Sequence, residues 1–350
     1  MKRRSFLLGA GAATLLAGSG RACTQETYRV VSLGRTSAGG DTWGTGVNDS
    51  GQVAGYGTQP GSSYFDHALL WSWDAKGVYV QKDLGTFGGR QSWASNINNL
   101  GQCVGTAQTK GGYNRAFLWN GSKLVDISGR NYTQGHGINN IGQATFDLEG
   151  RPAVWKAGKW SYLSGMGYPY AINDNSIAVG STSGTGADQA AIWRNGQREL
   201  LPVLYPERPH SAARSINKSD IATGHVQVPY VNSSGETSWV QCPVIWKGGG
   251  VNALPLLDGD IRGFGFGIND GEQVVGTSSN PSRQHAFIWD AANGTRDLND
   301  LISATDRYDP DTGLGWVLQS ARGISNNGYI TGNGRLNGVR HGFLLIPPGG

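Results

Sequence analysis

A short phrase recurs seven times along the chain, and it restricts the fold more than any other feature. Aligned on an aliphatic–Asn pair it reads Val47-Asn48, Ile97-Asn98, Ile138-Asn139, Ile172-Asn173, Ile216-Asn217, Ile268-Asn269 and, in the last copy, Ile324-Ser325. Aligned on a tryptophan it reads Trp71, Trp119, Trp155, Trp193, Trp246 and Trp289, with Leu345 in the seventh place. Six of the 12 tryptophans thus hold one repeated position, which composition alone does not produce.

Each unit reads as four short strands. The first ends in the aliphatic–Asn pair, and a tight Asn-x-x-Gly-type turn follows, as in Asn48-Asp49-Ser50-Gly51. The second carries Ala-Gly or Val-Gly, as in Gln52 to Gly55 and Gln273 to Gly276. The third is the apolar run into tryptophan, as in Ala286-Phe287-Ile288-Trp289. A second turn, such as Asn120-Gly121 or Asn195-Gly196, leads to a fourth strand with Asp83-Leu84, Asp126-Ile127 or Asp297-Leu298. Beyond the N-terminal segment no stretch sustains helical periodicity.

Four-stranded units spaced by roughly 34 to 56 residues fit propeller blades rather than solenoid coils. The seventh unit ends at Leu345-Ile346 without a fourth strand, and Tyr28 to Leu33 is a strand-like piece without partners of its own. Joining the two closes the ring and removes an open sheet edge. The expected fold is all-β, a seven-bladed propeller over 23–350. Its blades lie near 42–86, 92–128, 134–164, 168–202, 211–257, 263–299 and 319–346 plus 28–33. The alternative is an open array of β-repeats.

Gln284-His285-Ala286-Phe287-Ile288-Trp289 and Asp83-Leu84-Gly85-Thr86-Phe87-Gly88-Gly89 resemble the signature of the HAF-repeat family of extracellular bacterial proteins. Asp297-Leu298-Asn299-Asp300-Leu301-Ile302, followed by Gly315-Trp316, is similar to that family's last-repeat boundary. The likeness spans about residues 28 to 346. It implies secretion and a propeller-like repeat fold, and it brings no established chemistry. The chain departs from the pattern at Thr145-Phe146, where the second strand lacks Val-Gly, and at Pro152 and Pro243, which replace the motif's alanine.

The N-terminus supports export. Lys2-Arg3-Arg4-Ser5-Phe6-Leu7-Leu8 opens a segment whose small apolar run, Gly9 to Gly18, is too short to anchor in a bilayer. The twin arginine resembles a twin-arginine signal, with an ordinary Sec signal as the alternative, and Gly20-Arg21-Ala22 fits a cleavage site. Residues 1–22 are then a signal peptide, and the mature chain works in the periplasm, at the cell surface or secreted. Lipidation of Cys23 is disfavoured by Arg21. Cys103 and Cys242 fall in different repeats, too far apart for a disulfide. A net charge of +4 without a further basic block argues against a nucleic-acid partner, and no membrane span and a monomeric state are expected. The 56 glycines have no collagen period and so mark turns.

Alternating strand direction gathers the short turns on one face and the insertions on the other. Those insertions are Gly57 to Asp66, Thr106 to Asn114, Val203 to His210, His225 to Gln241 and Ser303 to Leu318. The long-loop face is therefore the candidate functional face. Two rings of side chains should open there. The outer ring, four residues before each tryptophan position, holds His67, Arg115, Arg151, Gln189, Cys242, His285 and His341. Three of these are histidines, but neighbouring blades stand roughly 9 Å or more apart at that radius. Zinc ligands need to approach within about 3–4 Å of each other, so hydrogen bonding within the fold is expected and no metal.

The inner ring lies two and four residues before the aliphatic residue: Thr45 and Trp43, Ser95 and Trp93, His136 and Gln134, Tyr170 and Tyr168, Arg214 and Ala212, Phe266 and Phe264, Arg322 and Ser320. Small residues between them suit crowding at the axis. Aromatic faces mixed with Arg, His and Tyr suit a polar, ring-shaped ligand, with Trp43, Trp93, Tyr168, Tyr170, Phe264, Arg214 and Arg322 as its contacts. Packing between blades is the competing use of the aromatics.

Other chemistry is thinner. Asp306, Asp309 and Asp311 could take Ca²⁺, but Ser320 stands where an EF-hand needs Glu, and a solvated acidic loop is the favoured account. No hydrolase, zinc-protease, P-loop or dinucleotide motif is present, so no cofactor is expected. The favoured function is non-enzymatic binding of a glycan or protein on the long-loop face. A polysaccharide lyase or glycosidase stays open as a rival, with His136 or Tyr170 as base and Arg214 and Arg322 neutralising a carboxylate. So does a purely structural surface protein.

Overall fold

The computed structural model describes residues 27–37, 39–59, 65–165, 167–183 and 188–349; the expected signal segment and Cys23 lie outside these. Seven four-stranded antiparallel sheets follow one another around a central axis. In blade one the strands are Thr42–Val47, Val53–Thr58, Asp66–Trp73 and Tyr79–Gly85, innermost to outermost. The last sheet is composite. Arg29–Ser32 pairs with Val339–Ile346 in the register Arg29↔Ile346 to Ser32↔Phe343, as its fourth strand. The ring closes where the expected joint lay.

A blade stands between two neighbours, so both faces of its sheet must be apolar. The run Ala116-Phe117-Leu118-Trp119 meets this with a period of two. Phe117 and Trp119 pack with Ala54 and Leu70 of blade one, while Ala116 and Leu118 pack with Ile138 and Phe146 of blade three. The core is accordingly divided into seven clusters, one at each blade–blade interface.

The repeated tryptophan adds a polar staple. The indole N–H of Trp71 donates to Leu33 O at 2.8 Å, that of Trp193 to Ser164 O at 3.0 Å and that of Trp246 to Pro202 O at 2.7 Å. Each acceptor lies in the link arriving from the preceding blade. Trp119 differs: its indole nitrogen has no partner, and Lys82 Nζ sits 4.6 Å from the ring centroid.

The repeated asparagine forms a belt around the axis on the short-turn face. Nδ2 of Asn48 donates to Asn98 O, Asn98 to Asn139 O, Asn139 to Asn173 O, Asn173 to Asn217 O, Asn217 to Asn269 O and Asn269 to Ser325 O, at 2.8 to 3.2 Å. The same side chain shapes its own turn, as where Asn48 Oδ1 accepts from Ser50 N and Gln52 N. The turn's fourth residue is left-handed in every copy: glycine in Gly51, Gly101, Gly142 and Gly328, but Ser176, Asp220 and Glu272 elsewhere, at φ near +60°. Ser325 supplies no amide, so the belt has one break, where blade seven meets blade one.

Two insertions are not loops: Thr106 to Asn114 is mostly paired strand closed by a turn at 110–113, and the other is longer. Ala222–Val231 and Thr237–Lys247 pair continuously from Ala222↔Trp246 to Val231↔Thr237, so His225 to Gln241 is a strand extension capped by a short turn. The only helix among the described residues is a 3-10 turn, Leu298–Asp300, capped by the Asp297 side chain.

Candidate functional site: an axial cup

Each innermost strand breaks its regular pairing two residues before the aliphatic residue, and those of blades two and seven break it at a second place nearer their start. The register shifts between Gly44 and Gly46, Ala94 and Asn96, Gly135 and Ile138, Pro169 and Ala171, Ala213 and Ser215, Gly265 and Gly267, and Ala321 and Gly323. The residues skipped are Thr45, Ser95, His136 (with Gly137), Tyr170, Arg214, Phe266 and Arg322. A β-bulge leaves its extra residue outside the ladder and re-aims its side chain. Here all seven are aimed at the axis.

The second strand's glycine makes room for the kink. A Cβ on Gly55 would lie 1.9 Å from Trp43 O, on Gly105 2.0 Å from Trp93 O, on Gly180 1.8 Å from Tyr168 O and on Gly276 1.9 Å from Phe264 O. Blade three, which lacks this glycine, places Phe146 there instead, fully buried and edge-on to Trp160.

The bulged side chains and their neighbours enclose a cavity of about 560 Å³ lined by Trp43, Gly44, Thr45, Tyr56, Trp93, Ala94, Ser95, His136, Tyr170, Arg214, Phe266, Arg322, Asn333 and Arg340. It opens on the face opposite the asparagine belt, which lines a smaller cavity of about 170 Å³ at the other end of the axis. The expected contacts Trp43, Trp93, Tyr170, Arg214 and Arg322 stand together on the cup wall, as does His136. Tyr168 and Phe264 do not reach it. Tyr168 backs Tyr170 at 6.4 Å and Phe264 backs Phe266 at 5.8 Å, both stacked. Tyr56, Asn333 and Arg340 are wall residues that sequence reasoning missed. Tyr56 and Asn333 are the cross-strand partners of Trp43 and Ser320, so their place follows from the register.

Stacking fixes the charged groups. The guanidinium of Arg214 lies 4.3 Å from the Tyr170 ring centroid, that of Arg322 4.1 Å from Phe266 and that of Arg340 5.7 Å from Trp43. Trp43 is itself stacked on Tyr56 at 5.1 Å. Among the described residues none of the three arginines forms an ion pair, and no carboxylate lines the cup. The nearby Asp66 is occupied at its edge, accepting from Thr58 Oγ1 at 3.0 Å and Trp93 Nε1 at 3.3 Å.

His136 meets Tyr170 edge-on at 5.8 Å. Burial and the Arg214 charge push its imidazole down to about 4, so it is neutral at pH 7, and its Nε2 has no partner. Arg214 Nε and Ser320 Oγ are likewise unpartnered. Enclosure and Arg214 hold Arg322 below the ordinary arginine value, against the opposing pull of Tyr56. Beside the cup, sharing Tyr170 and Arg214 as its wall, lies a recess of about 220 Å³ that includes His210, His225, Gln227 and Gln241. The smaller bulged residues act differently: Thr45 Oγ1 donates to Ala94 O at 2.8 Å and Ser95 Oγ to Gly135 O at 2.7 Å, each on the next blade.

The outer ring is spent on the fold. His67 contacts Asp83 at 2.8 Å, Arg115 contacts Asp126 at 2.8 Å and His285 contacts Asp297 at 2.6 Å, all within their own blades. His341 bonds Ser32 Oγ at 2.9 Å across the closing joint, and Gln189 donates to Leu201 O at 3.0 Å. Arg151 lies over Tyr162 at 4.6 Å, and Cys242 is buried and free, as is Cys103. Among the described residues no group of three or more His, Cys, Asp or Glu is placed to hold a metal ion. In the acidic loop, Asp309 Oδ1 accepts from Asp311 N and Asp306 Oδ2 from Ser303 Oγ.

No protein-family model matches the chain, and no curated protein does. Solved structures similar to it include the β-propeller domain of the Trilobed protease from Pyrococcus furiosus, at 10% identity and TM-score 0.42 over 75% of this chain and 99% of that one. AofleA from Arthrobotrys oligospora is similar at 12% identity and TM-score 0.42, over 77% and 90%. TolB from Acinetobacter baumannii is similar at 12% and 0.40, over 80% and 75%. Likenesses this distant say nothing about ligand or activity, and the blade architecture rests on the strand order itself.

Proposed function

We propose that this chain is an exported, non-enzymatic binding propeller that receives a glycan in its axial cup. One observation carries the reading. Seven bulges aim their side chains at one axis, and the larger of them, with Trp43 and Trp93, wall a single cavity of about 560 Å³. Aromatic faces in a concave, polar-lined site are what a sugar ring needs for stacking and hydrogen bonding.

The chemistry of the wall argues against turnover. Glycoside hydrolysis uses a pair of carboxyl groups, and the cup wall has none. An imidazole with a pKa of about 4 is a poor general base at neutral pH. A lyase reading retains one supporting observation: His136, Tyr170, Arg214 and Arg322 share the cavity. The test is a glycan array on the purified protein beside Trp93→Ala. Retention of a sugar by the parent and its loss in the variant supports the reading. An empty array removes it, and unsaturated products from incubated polysaccharides would replace it with a lyase.

A further inference from the structure

The cup's charge selects among sugars. We infer that its occupant is an anionic sugar residue, whose carboxylate or sulfate is taken by the edges of Arg214, Arg322 and Arg340 while its ring lies against the Trp43 and Trp93 side. This inference rests on the glycan reading above and narrows it to a chemical class.

Three features of the site support it. First, the guanidiniums are held over aromatic rings and not by protein acceptors. Arg214, Arg322 and Arg340 each sit over an aromatic ring at 4.3, 4.1 and 5.7 Å. A guanidinium held by a ring keeps N–H groups free for a ligand, and these match the two oxygens of a carboxylate or sulfate. Second, the charges are uncompensated. No ion pair among the described residues involves any of the three, although Arg115, Arg194, Arg283, Arg296 and Arg307 all have one. Third, no anionic side chain of the wall neutralises the cluster. No carboxylate lines the cup, and the Asp66 carboxylate at its edge is bonded to Thr58 and Trp93 and pairs with none of the three arginines. Like charges gathered without a paired counter-charge repel one another, and an anion entering among them relieves that repulsion. A neutral sugar leaves it in place.

The experiment follows tryptophan fluorescence, which Trp43 and Trp93 report from the cup wall. Uronate oligomers (galacturonate, mannuronate and glucuronate-containing), the same oligomers after reduction of their carboxyl groups, and sulfated galactan oligomers are titrated at low and high salt. An anionic probe is expected to bind at least tenfold tighter than its neutral counterpart, with affinity falling as salt rises. The uronate and sulfate arms tell which anion is preferred. Arg322→Gln is expected to abolish the preference; Arg340→Gln, at an exposed position, is expected to reduce it, and covers the case in which Arg322→Gln fails to fold by circular dichroism. Equal binding of acidic and reduced oligomers overturns the charge inference and leaves the cup as a sugar site. Binding of no oligomer in any arm overturns both. A preference unchanged in folded variants places the anion elsewhere.

Discussion

Replacing Asn98 with alanine isolates what the asparagine belt contributes. Asn98 is 3% exposed, and its side chain makes four hydrogen bonds. Nδ2 donates to Asn139 O and Gln102 Oε1, both at 2.9 Å, and Oδ1 accepts from Leu100 N at 3.1 Å and Gln102 N at 2.9 Å. At about 1 kcal/mol net each, with some recovery by water at the exposed turn, the loss is about 2–4 kcal/mol. Asn99 next door is the control. It is exposed, and its side chain bonds only Asp49, accepting from its N and donating to its Oδ2. Its removal is expected to cost less than about 1 kcal/mol. Guanidinium unfolding, followed by tryptophan fluorescence and far-ultraviolet circular dichroism, measures both variants. If Asn98→Ala costs no more than Asn99→Ala, the belt does not hold the blades together and the repeated asparagine needs another explanation.

Three further outcomes are expected. Ser325→Asn supplies the missing amide where the belt breaks and should stabilise the ring by about 1 kcal/mol, read as a higher melting temperature; a lower one shows that the break is required. Gly276→Ala forces a Cβ to within 1.9 Å of Phe264 O and should cost about 1–3 kcal/mol, so a variant melting with the parent would remove the close-approach argument. Burial, with Arg214 adding to it, holds His136 at about 4 and His225 at about 3. The ordinary histidine value is about 6.5, so as pH falls the unfolded chain takes up these protons before the folded one. Stability is then complete above about pH 6.5 and declines below it, by about 1–2 kcal/mol per ring at pH 5. Denaturant unfolding at pH 7 and pH 5 should show this, with a smaller loss in His225→Asn; equal stability at the two values refutes it.

Much of the fold was legible because the repeat states it directly. The aliphatic–Asn pair, the glycine and the tryptophan recur because each blade solves the same packing problem, and the orphan strand Arg29–Ser32 could be paired by elimination. The cup was partly legible. Counting back from the asparagine found His136, Tyr170, Arg214 and Arg322, because spacing along one strand survives any register. It also selected Tyr168 and Phe264, which alternation alone does not exclude, since the bulge that decides which side chain faces the axis has no motif of its own. Arg340 was out of reach for another reason: it comes from the third strand of blade seven and meets the cup over Trp43 of blade one. The strand extension at His225 to Gln241 looked like a loop because Pro229 and Asn232 to Gly235 interrupt its alternation.

The bulges have a consequence for how such a chain can change. A residue outside the ladder sets neither register nor blade spacing, so its identity is largely uncoupled from folding. Thr45 and Ser95 are held by their bonds to the next blade, but His136, Tyr170, Arg214, Phe266 and Arg322 carry no such bond. Those five positions can be exchanged without removing a ladder pair. Substituting them in combination should yield proteins of near-parental stability with new ligand preferences, and natural copies of this architecture can diverge in what they recognise while their blades stay superimposable.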